Sequence, residues 1–343
     1  MLLVSILDTI GNTPLVKLKI SEHSNSNVFG KLELQNPFGM KDRVAKHSLL
    51  KAKREGILKC GVPIIESSSG TMACGLSLVG TYLGHDVHVV TDPRIDSITL
   101  SKLYSLGSII HIVENMGDKG WQGSRLEHLS KLLNDMPNAY WPKQYDNSDN
   151  PNSYKELAQE LIQEVGKVDI LVAPVGSGGC ISGTARELKK YNQNLKVVAV
   201  DSTGSVIFGQ PDNPKRIQGG LGNSIVAKNV DYQIIDQVHW LNDFEAFSAT
   251  QKLANVEKIY AGNSSGSSYK VAEWLSKTSK RGTNIVVIFP DRGDRYHNTV
   301  YNNDLLNKIG KQEKQNAPKF VNPNTVVDSW SYSDNNKRGV LYE

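Results

Sequence analysis

The chain has 343 residues, 39% of them hydrophobic and 22% charged, and 39 Lys and Arg against 35 Asp and Glu leave a formal charge of +4. These proportions exclude a disordered or fibrous polymer and suit one large or two medium domains with a sizeable core. The basic residues are dispersed rather than clustered, so a nucleic-acid partner is not implied.

No apolar run reaches the roughly 18–20 residues of a membrane-spanning helix, and the first residues lack the pattern of a secretory leader. Three cysteines, Cys60, Cys74 and Cys180, cannot build a disulfide framework and lack metal-site spacing. A cytoplasmic protein with no membrane partner and no metal is expected.

Along the chain, short β-branched runs alternate with helical stretches. Val62–Ile65 predicts a strand, followed by a Ser/Gly turn and the apolar segment Gly75–Tyr82. His85–Val90 and Ser108–Val113 predict strands on either side of a helix over Thr99–Leu106. Trp141–Ser153, rich in Asn, Asp and Pro, reads as a crossing between domains. Ser153–Val165 has helical spacing and Val168–Val175 reads as a buried strand. A helix over Ile181–Lys190 and a strand over Leu195–Val200 repeat the alternation, and Phe244–Val256 and Asn284–Phe289 close it with a helix and a strand. This order predicts an α/β fold with mostly parallel sheets, two sheets suiting the length better than one. Beyond about Gln315 the chain turns polar and aperiodic and reads as a tail, loose or ordered on contact, without chemistry.

Four segments carry candidate chemistry. Gly176, Ser177, Gly178, Gly179 and Cys180 directly follow the strand and open a helix. Glycines there let the backbone aim free N–H groups outward, and the helix dipole adds positive potential, which suits one phosphate. The alternative is a tight turn with no ligand. No Lys-Ser/Thr follows the glycines, and the spaced dinucleotide pattern is absent, which argues against a nucleotide.

Lys41 follows the Asn36-Pro37-Phe38-Gly39 turn near a helix start, where desolvation would favour its neutral amine; taken alone, Lys41-Asp42-Arg43 also reads as a solvated turn. Glu66-Ser67-Ser68-Ser69-Gly70-Thr71 and Ala261–Ser268 are two small-residue turns that read either as helix caps or as ligand turns. Together they suggest pyridoxal 5'-phosphate, which needs a lysine, a phosphate cradle and a partner for its ring nitrogen.

From about Ile10 to Tyr301 the chain resembles the O-acetylserine sulfhydrylase and cystathionine β-synthase family of fold-type II pyridoxal-phosphate enzymes. The resemblance rests on Ile10-Gly11-Asn12-Thr13-Pro14-Leu15, the lysine motif, Gln144–Asn147, the glycine loop, Arg216–Gly219, the serine turn and Asp291–Tyr296. It implies two three-layer α/β domains of the tryptophan synthase β-like kind. Residues 1–40 with 153–310 would form the larger, phosphate-binding domain, 41–152 a smaller mobile substrate domain, and 311–343 the polar tail. A homodimer acting on small amino acids is also implied.

Carried over by position, Lys41 would be the Schiff-base lysine and general base. Gly176, Ser177, Gly178, Gly179 and Cys180 would hold the phosphate, and Ser264 would face the ring nitrogen. Thr71 would stand where the family commonly has an Asn against the cofactor, and Ser68, Ser69, Thr71, Met72 and Gln144 would surround the substrate carboxylate. The implied reaction is β-replacement on an O-activated L-serine through an aminoacrylate intermediate, with sulfide or a thiol adding. The Gly39-Met40-Lys41 sequence is one residue shorter than the family's usual motif and lacks its serine.

Asp201–Gly209 together with Asp291–Tyr296 is similar to a subgroup that joins O-phosphoserine to glutamate on the way to 2,3-diaminopropionate. There Arg125 would bind a second substrate's carboxylate. As an ordinary helix arginine it would instead pair with Glu127 or another acid. A β-eliminating lyase would use the same cofactor apparatus.

Overall fold

The computed structural model describes residues 2–117, 120–309 and 315–334. In chain order the elements are β1 (Leu15–Lys17), β2 (Asn27–Lys31), α1 (Lys41–Arg54), β3 (Ile64–Ser67), α2 (Thr71–Tyr82), β4 (Val87–Thr91), α3 (Ser97–Ser105), β5 (Ile109–Ile112) and α4 (Gly120–Asp135). They continue with α5 (Asp149–Asn152), α6 (Lys155–Val165), β6 (Ile170–Pro174), α7 (Gly179–Tyr191), β7 (Lys196–Ser202), β8 (Gln237–Leu241), α8 (Asp243–Glu257) and α9 (Asn263–Thr278). The chain closes with β9 (Asn284–Ile288), α10 (Asn303–Ile309), β10 (Lys319–Phe320) and β11 (Ser331–Asp334).

Two sheets result, as expected. The larger runs β1-β2-β9-β6-β7-β8-β11-β10, and the smaller is β3-β4-β5. The smaller sheet is parallel throughout. The larger is parallel from β2 to β8, with β1 antiparallel to β2 and β11 antiparallel to β8. Every residue of β6 and β8 is buried, as a parallel strand covered on both faces requires. Among the described residues no helix is long and apolar enough to cross a membrane.

A charged cluster anchors the first turn of α1. Arg43, 2% exposed at its side chain, grips Glu33 through Nε and Nη2 at 2.7 and 2.8 Å. It grips Glu160 of α6 through Nη1 and Nη2 at 2.7 and 2.9 Å. Lys31, at the end of β2, sits 2.9 Å from both Glu160 and Glu164 and donates to the Thr13 carbonyl. Two bidentate forks thus lock α1 against β2 and α6.

Two expectations need amendment. The serine turn is not a loop, because α9 starts at Asn263 and takes Ser264–Ser268 into its first turns. Small residues are required there: a Cβ on Gly266 would lie 2.0 Å from Thr250 Oγ1 and 2.4 Å from Thr250 backbone atoms of α8. The polar stretch after Gln315, expected loose or ordered on contact, is ordered against the larger sheet as far as Asp334 rather than loose. β11 pairs with β8 and carries β10 at the sheet edge, Trp330 is 1% exposed, and its backbone N–H donates to Glu245 Oε1. The rest of the expected tail, residues 311–314 and 335–343, lies outside the described residues.

Candidate active site

Lys41 is the first residue of α1 and is buried. The turn before it is fixed by Asp42, whose Oδ2 accepts from the Phe38 and Gly39 N–H groups at 2.7 and 3.3 Å. Burial pushes the Asp42 carboxyl up to about 7, against those two bonds. Gly39 adopts φ +131°, and a Cβ there would lie 2.9 Å from the Pro290 carbonyl, so the turn is seated directly on the segment after β9. Burial pushes the Lys41 amine down to about 8, opposed by Cys180. Lys41 Nζ donates to Ser177 Oγ at 2.7 Å, which brings the lysine to the glycine turn.

That turn joins β6 to α7. Gly178 adopts φ +79°, where a side chain would also strike Val230 at 2.4 Å. A Cβ on Gly179 would lie 2.0 Å from Asn150 Oδ1. The backbone N–H groups of Ser177, Gly178, Gly179 and Cys180 meet no protein acceptor among the described residues. They stand at the positive end of a 13-residue helix, the donor set a phosphate monoester takes. Burial pushes the Cys180 thiol up to about 12, so it packs there as a neutral group. The chain's residues therefore fit the phosphate of pyridoxal phosphate.

The Ser68–Thr71 turn links β3 to α2 and adjoins the lysine turn. The position of a Gly39 Cβ is 3.2 Å from Thr71 Cγ2 and 3.4 Å from Asp291 Cβ. Gln144 Nε2 donates to the Ser67 carbonyl at 3.1 Å, while Asn150 Nδ2 donates to both the Gln144 carbonyl and Ser177 Oγ. Asn150 thus joins the glycine turn to the Gln144 segment. It was missed in the sequence because it lies just beyond the quoted Gln144–Asn147 motif, although the Asn-Pro pair that follows α5's start signals a fixed turn.

Beneath this turn lies Glu66, which accepts from Ser67 N, Trp141 Nε1 and Gln144 N, and which burial pushes up to about 7.

The remaining candidates separate. Met72 is buried in the main apolar core together with Ala73 and Leu76. Ser264 is buried in the first turn of α9. The preceding Gly262 N–H donates to the Asp291 carbonyl at 3.0 Å, which ties the start of α9 to the Asp291 segment. The adjacent Asn263 amide is fully buried with neither polar atom bonded among the described residues. Arg125 is not a solvated helix arginine and does not pair with Glu127: it is buried, 3.4 Å from Asp92 Oδ2, with Nε unbonded among the described residues. Its charge acts on Glu66 and Tyr145.

Comparison with known proteins agrees with this geometry. The family described as pyridoxal-phosphate dependent enzyme matches residues 6–291. A hydrogen sulfide-producing enzyme from Fusobacterium nucleatum shares 28% identity over 86% of this chain and 100% of its own, with a TM-score of 0.81. An O-acetylserine dependent cystathionine beta-synthase from Helicobacter pylori shares 29% identity over 87% of this chain and 98% of its own, with a TM-score of 0.80. An O-acetyl serine sulfhydrylase from Entamoeba histolytica shares 30% identity over 92% of this chain and 94% of its own, again with a TM-score of 0.80. With the lysine, the glycine cradle and these matches together, this chain belongs to the pyridoxal-phosphate dependent enzyme family.

Proposed function

We propose that the enzyme carries out β-replacement on an O-activated L-serine, O-acetyl- or O-phosphoserine, with sulfide or a thiol as nucleophile. The observation that carries this reading is the buried Lys41 amine lying 2.7 Å from Ser177 Oγ, at the glycine turn that opens α7. The names of the similar solved enzymes, which include an O-acetylserine sulfhydrylase and an O-acetylserine dependent synthase, support it.

Pyridoxal phosphate, when bound, supplies the electron sink that allows an amino acid to lose its α-proton and β-substituent. In this proposal Lys41 carries the cofactor, and its amine, whose charged form burial disfavours, takes and returns the α-proton. The N–H groups of residues 177–180 hold the phosphate at the head of α7, and Ser264 faces the ring nitrogen. Ser68, Ser69 and Thr71 at the head of α2, with Gln144 behind them, receive the substrate carboxylate, and Met72 shapes the turn from the core side. Residues 41–152 act as a smaller unit that closes over residues 1–40 and 153–310 and excludes water. The assembly is a homodimer.

Arg125 favours a second reading, in which the nucleophile is an amine such as that of L-glutamate. A buried guanidinium with a free Nε and one acid at 3.4 Å retains donors for another carboxylate. One experiment separates the readings: supply the holoenzyme with each O-activated serine, then sulfide, thiols or L-glutamate, and identify the products by mass spectrometry. Cysteine or a thioether supports the first reading and a 2,3-diaminopropionate conjugate the second. Pyruvate and ammonia regardless of nucleophile mark a lyase, and an untouched substrate overturns both readings.

A further inference from the structure

The Asp291–Tyr296 segment contributes a side chain for which the reaction as described has no use. Arg295 lies in the 3-10 turn beyond β9 of the larger sheet. Its Nη2 donates to the Ser69 carbonyl at 3.2 Å, and its Nε stands 3.3 Å from Asp96 Oδ2. A Cβ on Gly70 would come within 2.6 Å of Nη1, so the guanidinium rests against the bare Gly70 backbone. Its Cζ is 5.3 Å from the Tyr296 ring centroid, and the Tyr296 hydroxyl is bonded to Asp291. Ser69 and Gly70 follow β3, and Asp96 follows β4, so one cation of the larger sheet grips two turns of the smaller.

The peptide geometry shows what this grip does. Across a planar trans peptide the carbonyl and the next N–H point in opposite directions. Holding the Ser69 oxygen on Arg295 therefore turns the Gly70 N–H the other way, where it donates to Ser68 Oγ at 3.3 Å. Asp96 also caps α3 through Thr99 N at 2.8 Å, so the same grip ties the turn to that helix.

We infer that Arg295 is a positioning residue for the amino-acid substrate: it orients the Ser69–Gly70 peptide so that the head of α2 presents Ser68 and its N–H groups to the substrate carboxylate, and through Asp96 it fixes that turn to α3. The inference rests on the proposed role of the Ser68–Thr71 turn. Lysine is a poor substitute, since a point charge does not combine the hydrogen bond to the Ser69 carbonyl with the ionic contact to Asp96 that the planar guanidinium makes.

The test uses cofactor-loaded enzyme with Arg295→Met, Arg295→Lys, Asp96→Asn and the Arg295→Lys/Asp96→Asn pair. Asparagine keeps the cap on α3 while removing the charge. For Arg295→Met, the KM of the O-activated serine rises about tenfold to a hundredfold while kcat stays within about threefold and the KM of the nucleophile is unchanged. Arg295→Lys shows a smaller rise of the same kind, and adding Asp96→Asn to it costs less than the two separate effects combined. Independently of turnover, hydrogen exchange at the Gly70–Cys74 amides accelerates by at least about tenfold in Arg295→Met.

A melting temperature that falls with both KM and exchange unchanged would reduce Arg295 to a stabilising contact and overturn the inference, as would a loss confined to kcat. If Arg295→Met does not fold, Arg295→Lys decides by the same readouts. Should the unaltered enzyme ignore O-activated serines, the proposed reaction fails, and unaltered amide exchange alone then overturns the positioning role.

Discussion

Replacing Arg43 by methionine tests whether the charged cluster holds α1, and with it Lys41, in place. The substitution removes four hydrogen bonds of 2.7–2.9 Å, leaving Lys31 beside Glu160 and Glu164 and Glu33 with no ion-pair partner among the described residues. Glu33 is fully buried and Glu160 nearly so, so an uncompensated buried carboxylate costs about 3–5 kcal/mol. With an unfolding entropy of about 2.1 cal/mol/K per residue, a chain of 343 residues loses roughly 4–7 °C of melting temperature.

The pH dependence gives the sharper signature. Burial raises the Glu160 carboxyl, but the bonds and charges of Arg43 and Lys31 outweigh it and hold it below its ordinary value. That stabilisation is present above the ordinary carboxylate value and fades as pH falls through the lowered one. In the methionine variant a stranded buried carboxylate takes up a proton as pH falls, so the deficit narrows. Calorimetry of holoenzyme at a fixed scan rate, at about pH 7.5 and pH 5.5, reads both effects. A loss below about 1 °C at the higher pH, or a deficit that widens on acidification, refutes the reasoning.

Three further outcomes are expected. With Lys41 brought down to about 8 by burial, a brief amine-acylating pulse on cofactor-free enzyme should label it half-maximally near pH 8; a midpoint at 10 or above contradicts the burial argument. Gly179→Ala puts a methyl group 2.0 Å from Asn150 Oδ1 and should weaken cofactor binding by at least about tenfold with the circular dichroism unchanged; retained affinity would place the phosphate elsewhere. Trp330→Ala empties a buried site beneath β11 and should cost about 3–5 kcal/mol in denaturant unfolding without altering the cofactor's absorbance, whereas a neutral result would show that the C-terminal strand adds nothing to the sheet.

The strands that local pattern revealed are those rich in β-branched apolar residues. Val168–Val175 and Asn284–Phe289 are apolar runs and emerge as β6 and β9 in the middle of the larger sheet. β8 escaped because its buried face carries Gln237 and His239, polar residues satisfied by each other and by Asp334 and Trp330, contacts no local window contains. β2 escaped because it ends on Lys31, whose counter-charges lie over a hundred residues away on α6. Separation of about thirty residues likewise hid the Asp92 partner of Arg125, for which Glu127 was the one acid named from sequence.

At the site, Lys41 and the glycine turn were visible because a strand, a flexible turn and a helix start stand side by side in sequence. Asn150 and Arg295 act across the gaps between turns, so only the folded backbone reveals them.

The central claim is that one amine, that of Lys41, carries the cofactor at the head of α7. Reduction of the holoenzyme with borohydride, proteolysis and mass spectrometry of the pyridoxyl-bearing peptide tests it directly. The account predicts a single labelled peptide with the modification on Lys41; label on another lysine, or a cofactor that washes away unreduced, would contradict it.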